Sequence, residues 1–149
     1  MKRQTGFGLT ELLLAFVVAS VLAAVGAPAM QEFITNQRLK STSSDLFTSI
    51  LRARSEAIKR NKDVTLAPAT NWNTGWTIPS PNAGEPALAS FTTRPKIEVS
   101  GPGGGVTFTA AGRVKGEAGP QFSITASNGK ASCITIDLGG RPNVQPKPC

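Results

Sequence analysis

One carboxylate, Glu11, stands inside the most apolar stretch of the chain, GFGLTELLLAFVVASVLAAVGAPAM from Gly6 to Met30. An acid well inside a lipid-spanning helix costs about 2.5–3.5 kcal/mol on insertion scales, so it ordinarily has a charged partner or a task. The two cysteines, Cys133 and Cys149, are the other residues with distinctive chemistry. They are too few for a structural zinc site within one chain. Both lie near the C-terminus, and a membrane-directing N-terminus implies export, so a disulfide is the better reading and two free thiols the alternative. The bond would close a segment of about 17 residues and stabilise by about 3 kcal/mol. The sequence contains no His, which excludes a His-based triad, a His metal site and a His pH switch.

The apolar stretch decides what Glu11 can do. As a helix at about 1.5 Å per residue, Phe7 to Met30 extends for about 36 Å, enough to cross a bilayer. An ordinary secretory signal has a shorter apolar core followed by a small-residue cleavage site. Here Lys2 and Arg3 stand in a very short leader, the small residue Gly6 precedes the apolar run, and only Gly26 and Pro28 disturb its far end. This order points to a cut on the cytoplasmic side, with the helix retained. A cut after Gly6 makes Glu11 the fifth residue of a chain that begins with the positive amine of Phe7. That amine, its own or a neighbouring copy's, is a candidate partner for the acid.

After Pro28, Leu39, Leu46, Ile50 and Ala57 with Phe47, Leu51 and Ile58 recur at spacings of three and four, which predicts one apolar stripe on a helix over 31–62. Gly26 and Pro28 are candidate bend points. Arg38, Arg52, Glu56, Lys59 and Arg60 project from the other side, as on a solvated face. Arg54 falls within the apolar arc, so it must snorkel to the edge or meet a buried acceptor.

Beyond Leu66 lie ten of the eleven prolines and twelve of the fifteen glycines, and the apolar runs shorten and alternate. That is β-structure with many turns. Strands are predicted over 64–67, 75–79, 87–92, 96–99, 106–109, 121–126 and 131–138. Asn128-Gly129 suits a type I′ hairpin turn. GPGGG, Gly101 to Gly105, lacks the Gly-Lys-Ser/Thr ending of a phosphate-binding loop and reads as a flexible turn. A single domain of modest core accounts for the chain after Met30. After Met30 there are 14 Lys and Arg against 8 Asp and Glu, a net charge of +6. This surplus favours polyanions, although solubility alone can explain it. No catalytic constellation for an enzyme is present.

Gly6-Phe7-Gly8-Leu9-Thr10-Glu11, the apolar helix and Pro28 together resemble the class III signal of type IV pilins and type II secretion pseudopilins. The usual Gly-Phe-Thr-Leu-Ile-Glu run is altered at Gly8 and Thr10. NQRLKSTSSDLFTSILRARSEAIKRNKDVTL (36–66), WNTGW (72–76), VTFTAAGRV (106–114) and CITIDLGGRP (133–142) are similar to the GspH/FimT/FimU group of minor pilins and pseudopilins. The resemblance implies an α+β pilin fold, in which a long N-terminal helix, transmembrane in its first half and amphipathic in its second, packs on antiparallel β-sheets. It implies a leader over 1–6, a transmembrane and filament-core helix over 7–30, and a periplasmic domain over 31–149 that is β-rich from 63. It implies cleavage between Gly6 and Phe7 by a prepilin peptidase, N-methylation of Phe7, and a role for Glu11 in docking a new subunit. The partners it implies are major and minor pilins and an inner-membrane assembly platform. From the residues themselves no cofactor and no metal is expected. The localisation implied is the inner membrane, single-pass with a periplasmic C-terminal domain, and then the pilus filament or its tip.

Three functions fit this resemblance. The first is a type IV pilus minor pilin acting in priming or tip assembly. The second adds DNA uptake, because FimT-like members bind DNA through a C-terminal Gly-Arg-x-Arg motif. Gly140-Arg141-Pro142-Asn143 occupies the matching place and lacks the second arginine, so Lys147, Arg113 and Lys115 would have to complete the patch beside Arg141. Backbone phosphates would dominate such binding. The third is a GspH-type pseudopilin of type II secretion, ranked lower because paired C-terminal cysteines and basic charge point to the pilus.

Overall fold

The computed structural model describes residues 8–149, so the expected cleavage and methylation positions, Gly6 and Phe7, lie outside the described residues. The chain divides into two compact units, one ending at Ile34 and the other Thr35–Cys149. A single helix, α1 (Leu9–Arg60), contributes to both.

In the first unit α1 starts where the Gly8 carbonyl accepts from the amides of Glu11 and Leu12 at 3.1 and 3.2 Å. Glu11 lies in this first turn, where the helix dipole favours an acid. Helix continues through Gly26 and Pro28. A proline there forfeits one i→i−4 bond without ending the helix. Leu9, Leu14, Phe16, Val21 and Leu22 are all more than half exposed. The mean hydropathy of 2.4 makes this segment long and apolar enough to cross a membrane by length and composition.

The second unit is built on the other part of α1. Leu39, Leu46, Ile50, Ala53 and Ala57 are buried, with Phe47 partly so. Leu51 and Ile58, expected in this stripe, are 40% and 52% exposed. The stripe is therefore narrower than the spacing suggested, because the sheets cover only its Leu46–Ile50–Ala57 side. The helix ends in a Schellman arrangement. Asn61 takes the left-handed conformation (φ 51°), while the amides of Asn61 and Lys62 bond to the carbonyls of Ile58 and Ala57.

Eight strands follow: β1 (Val64–Pro68), β2 (Gly75–Ile78), β3 (Ala89–Thr92), β4 (Ile97–Ser100), β5 (Val106–Phe108), β6 (Gln121–Ala126), β7 (Ala131–Ile136) and β8 (Pro142–Gln145). They form two antiparallel four-stranded sheets, ordered β3-β2-β1-β5 and β4-β6-β7-β8. Alternating burial in β4 and β6 turns Ile97, Val99, Phe122 and Ile124 into one core with Val64, Leu66, Trp76, Phe108, Ile134 and α1. Trp72 meets Phe122 edge-on at 4.9 Å. Trp76 stacks on Phe91 at 5.7 Å and donates its indole N–H to Ser49 Oγ at 2.8 Å, so its polar edge is satisfied in the core.

Several strand ends differ from expectation. Lys96 has φ 67°, which keeps it out of β4. β3 begins at Ala89 and β7 ends at Ile136. The eighth strand was not foreseen, because Pro142 at its start reads as a breaker. The Asn128-Gly129 turn is also not type I′. That form needs φ > 0 at both residues, and of the two only Gly129 (φ 81°) has it. The bonds Gly129 N to Ala126 O and Ala126 N to Lys130 O instead define a three-residue loop with a left-handed Gly129. GPGGG is tighter than a flexible turn. A Cβ on Gly101 would lie 2.5 Å from the Phe122 ring, and one on Gly105 2.3 Å from the Leu66 carbonyl.

Candidate functional site

Two regions carry the residues singled out in the sequence. In the first unit Glu11, Leu14, Ala15, Val18, Ala19 and Leu22 line one shallow face of α1, set by their spacing of three and four. Small Ala15 and Ala19 between larger neighbours allow close approach of another helix. No cation pairs with Glu11 among the described residues, so an acid is presented on an apolar, exposed helix face.

The second region is the C-terminal end of the second unit. Cys133 and Cys149 form a disulfide with Cα atoms 4.9 Å apart, which ties the chain end to β7. Between them Gly140 (φ 79°) turns the chain so tightly that a Cβ would meet the Gly112 carbonyl at 2.3 Å. The same Gly112 carbonyl accepts Arg54 Nε at 2.9 Å, which supplies the acceptor that Arg54 needed. Val114 N bonds to Leu138 O at 3.2 Å. These contacts bring the turns carrying Arg113 and Arg141 together.

The remaining members of the proposed basic patch do not join them. Lys115 Nζ bonds to Asp63 Oδ2 at 2.8 Å, and this carboxylate raises the lysine's pKa. Lys147 lies beyond the far end of β8, about 13 Å of strand from Arg141. Arg141 itself is highly exposed, but Asp137 sits beside it, with Nε to Oδ2 at 3.4 Å and the Arg141 amide donating to Oδ1 at 2.8 Å. The positive field here is that of Arg54, Arg113 and Arg141, partly offset by Asp137.

The charged face of α1 is fastened to loops and is not simply solvated. Arg52 donates to Leu88 O at 2.6 Å, and Arg94 pairs with Asp45. Arg60 bridges Glu56 at 2.7 Å and Glu85 at 3.0 Å. The Arg60 hydrogen bond holds Glu56 below its ordinary pKa, and hydrogen bonds from Ser80, then Asn82 and Arg60, do the same for Glu85. Sequence reasoning passed over one more feature, a groove beside β8. The signal for it was Val144 standing alone between Pro142 and Pro146.

A long helix, apolar at its start and amphipathic beyond, with two antiparallel sheets on the amphipathic part, is the architecture of a pilin-type subunit. A prokaryotic N-terminal methylation motif matches residues 1–27. The chain belongs to the GspH family, whose model, described as type II transport protein GspH, matches residues 42–140. It is a minor pilin or pseudopilin of a type IV pilus or of type II secretion. Among solved structures it is similar to the Pseudomonas aeruginosa type IV minor pilin FimU. In one crystal form the identity is 23%, over 72% of this chain and 93% of that one, with a TM-score of 0.61. In another the identity is 22%, over 76% and 92%, with a TM-score of 0.64. It is also similar to the minor pseudopilin EpsH from the type 2 secretion system of Vibrio cholerae, at 13% identity over 73% and 97%, with a TM-score of 0.59. At these identities the likeness is one of fold. No curated protein matches the chain in sequence.

Proposed function

We propose that the chain is a minor pilin that primes or tips a type IV pilus. In this reading a prepilin peptidase cuts it between Gly6 and Phe7 and methylates the Phe7 amine. Residues 7–30 then hold it in the inner membrane with residues 31–149 in the periplasm, until the assembly platform adds it to other pilins. Glu11 docks it by neutralising the N-terminal amine of a neighbour. The observation that carries this reading is Glu11 on an exposed apolar helix face with no cation among the described residues. A charge so placed gains most when a second helix brings a positive group into the same low-dielectric contact. Mass spectrometry of the N-terminus tests the first step. The expected mass is that of a chain beginning with methylated Phe7, and a chain that still begins at Met1 defeats the proposal.

Convergence of the Arg113 and Arg141 turns favours a second reading, weak DNA contact during uptake. Arg113 and Arg141, with Arg54 beside them, can neutralise only a few phosphates, so binding should be weak, indifferent to sequence and reduced by salt. In a gel-shift series on the protein, Arg141→Ala should weaken binding about threefold or more and lower the salt slope by about one. Lys115→Ala and Lys147→Ala should change little. Absence of binding at low salt, or indifference to Arg141→Ala, removes this reading.

A further inference from the structure

The core-facing side of the second sheet is wider than the helix face that covers it. Ile134 and Ile136 of β7 are buried at 0% and 2% exposure. Their cross-strand partners in β8 are Val144 and Pro142, and directly opposed residues share a sheet face. Yet Val144 is 40% exposed and Pro142 only half-buried. Next to them α1 presents Leu39, Lys40, Ser44 and half-buried Phe47, and with Pro146 to Pro148 these enclose a groove of about 1020 Å³. The whole groove lies within the second unit.

Three properties identify its occupant. The first is charge, because the lining includes Lys40 and Lys147 and no carboxylate. An apolar floor with a basic rim complements an apolar surface flanked by acids. The second is the strand edge. Asp137 N bonds to Arg141 O at 3.0 Å, which sets the phase of the β7–β8 ladder. Arg141, Asn143 and Gln145 direct their backbone groups to β7, while Pro142, Val144 and Pro146 face the open edge. Two of those three lack an N–H, which makes the edge a poor template for another strand. The third is length. The α1 wall of the groove runs from Asn36 to Phe47, about 17 Å or three helical turns.

We infer that this groove seats an acid-bearing amphipathic helix of about three turns from a different protein subunit, its apolar stripe on Val144 and Phe47 and its carboxylates at Lys40 and Lys147. This deepens the assembly reading, on which it rests for the existence of a partner. It does not involve Glu11 or filament formation.

The test uses the full chain in detergent micelles and a fluorescent synthetic helix with leucines at i, i+3, i+4 and i+7 flanked by glutamates. The control peptide carries lysines in place of the glutamates. Saturable binding of the acidic peptide above the signal from empty micelles is expected, with the lysine peptide at least about fivefold weaker. Val144→Asp, at an exposed side chain, should abolish binding while leaving the melting profile unchanged. The double variant Lys40→Glu/Lys147→Glu should reverse the preference between the two peptides, which loss of structure would not do. Failure of the acidic peptide to bind, equal binding of both peptides, or indifference to Val144→Asp overturns the inference. Self-association of the chain that Val144→Asp removes also overturns it, since a second copy would then fill the groove. Because no filament is formed, failure here leaves the Glu11 proposal standing, and a filament defect in Glu11 variants leaves this one standing.

Discussion

At Glu11 and Arg54 the same physical demand, a charge among apolar groups needing a partner, was visible in the sequence. It is met in different ways. Arg54 finds its acceptor in the same chain, the Gly112 carbonyl at 2.9 Å. Glu11 finds no cation among the described residues and lies on an exposed helix face with Leu14, Val18 and Leu22. Under the proposed function its partner is a neighbouring subunit's N-terminal amine. Glu11→Ala should leave cleavage and the second unit's melting temperature unchanged and lower incorporation into filaments by about tenfold, as loss of a docking charge worth at least about 1.4 kcal/mol implies. Quantitative immunoblotting of sheared filaments against whole cells reads this, and normal incorporation would remove Glu11 from the assembly step. The basic residues show the limit of reading single positions. Arg113, Lys115, Arg141 and Lys147 looked equivalent by charge, but Lys115 is paired with Asp63 and β8 separates Lys147 from Arg141.

The elements were legible where local pattern and tertiary demand agree. The long helix and seven of the strands follow from period and turn residues, because their core faces are repetitive. β8 was not legible, since a proline reads as a stop and only the sheet shows that its missing N–H points off the edge. The Asn128-Gly129 hairpin was placed correctly but given the wrong turn, because the choice between a two- and a three-residue loop rests on the pairing register. The disulfide acts at this scale too, fastening the segment after β8 back to β7. Replacing both Cys133 and Cys149 by Ser should lower stability by about 3 kcal/mol, measured as a shift in the denaturant midpoint. An unchanged midpoint would show that the β7–β8 ladder holds the tail without the bond.

For the molecule as a whole, solution pH should act through the Glu56–Arg60–Glu85 cluster, because both carboxyl groups titrate below their ordinary value of 4.5 in the folded protein. A depressed folded pKa stabilises at neutral pH, and that contribution disappears as pH falls through the lowered value. Thermal melts should be nearly level from about pH 7 to about pH 5 and fall below about pH 4.5. Glu85→Gln should flatten part of that fall, and a profile identical to that of the unaltered protein would show that Glu85 contributes nothing to acid sensitivity. The sequence by itself determined the class of protein, because an N-terminal methylation motif, one acid and an apolar run depend on neighbours along the chain, as do helix and strand periods. Tertiary structure alone decided which charges are occupied, which helix residues the sheets leave bare, and that Val144 lines an uncovered groove. Those outcomes depend on pairs such as Lys115 with Asp63 and Val144 with Ile134, whose meeting is set by sheet register and by no local spacing.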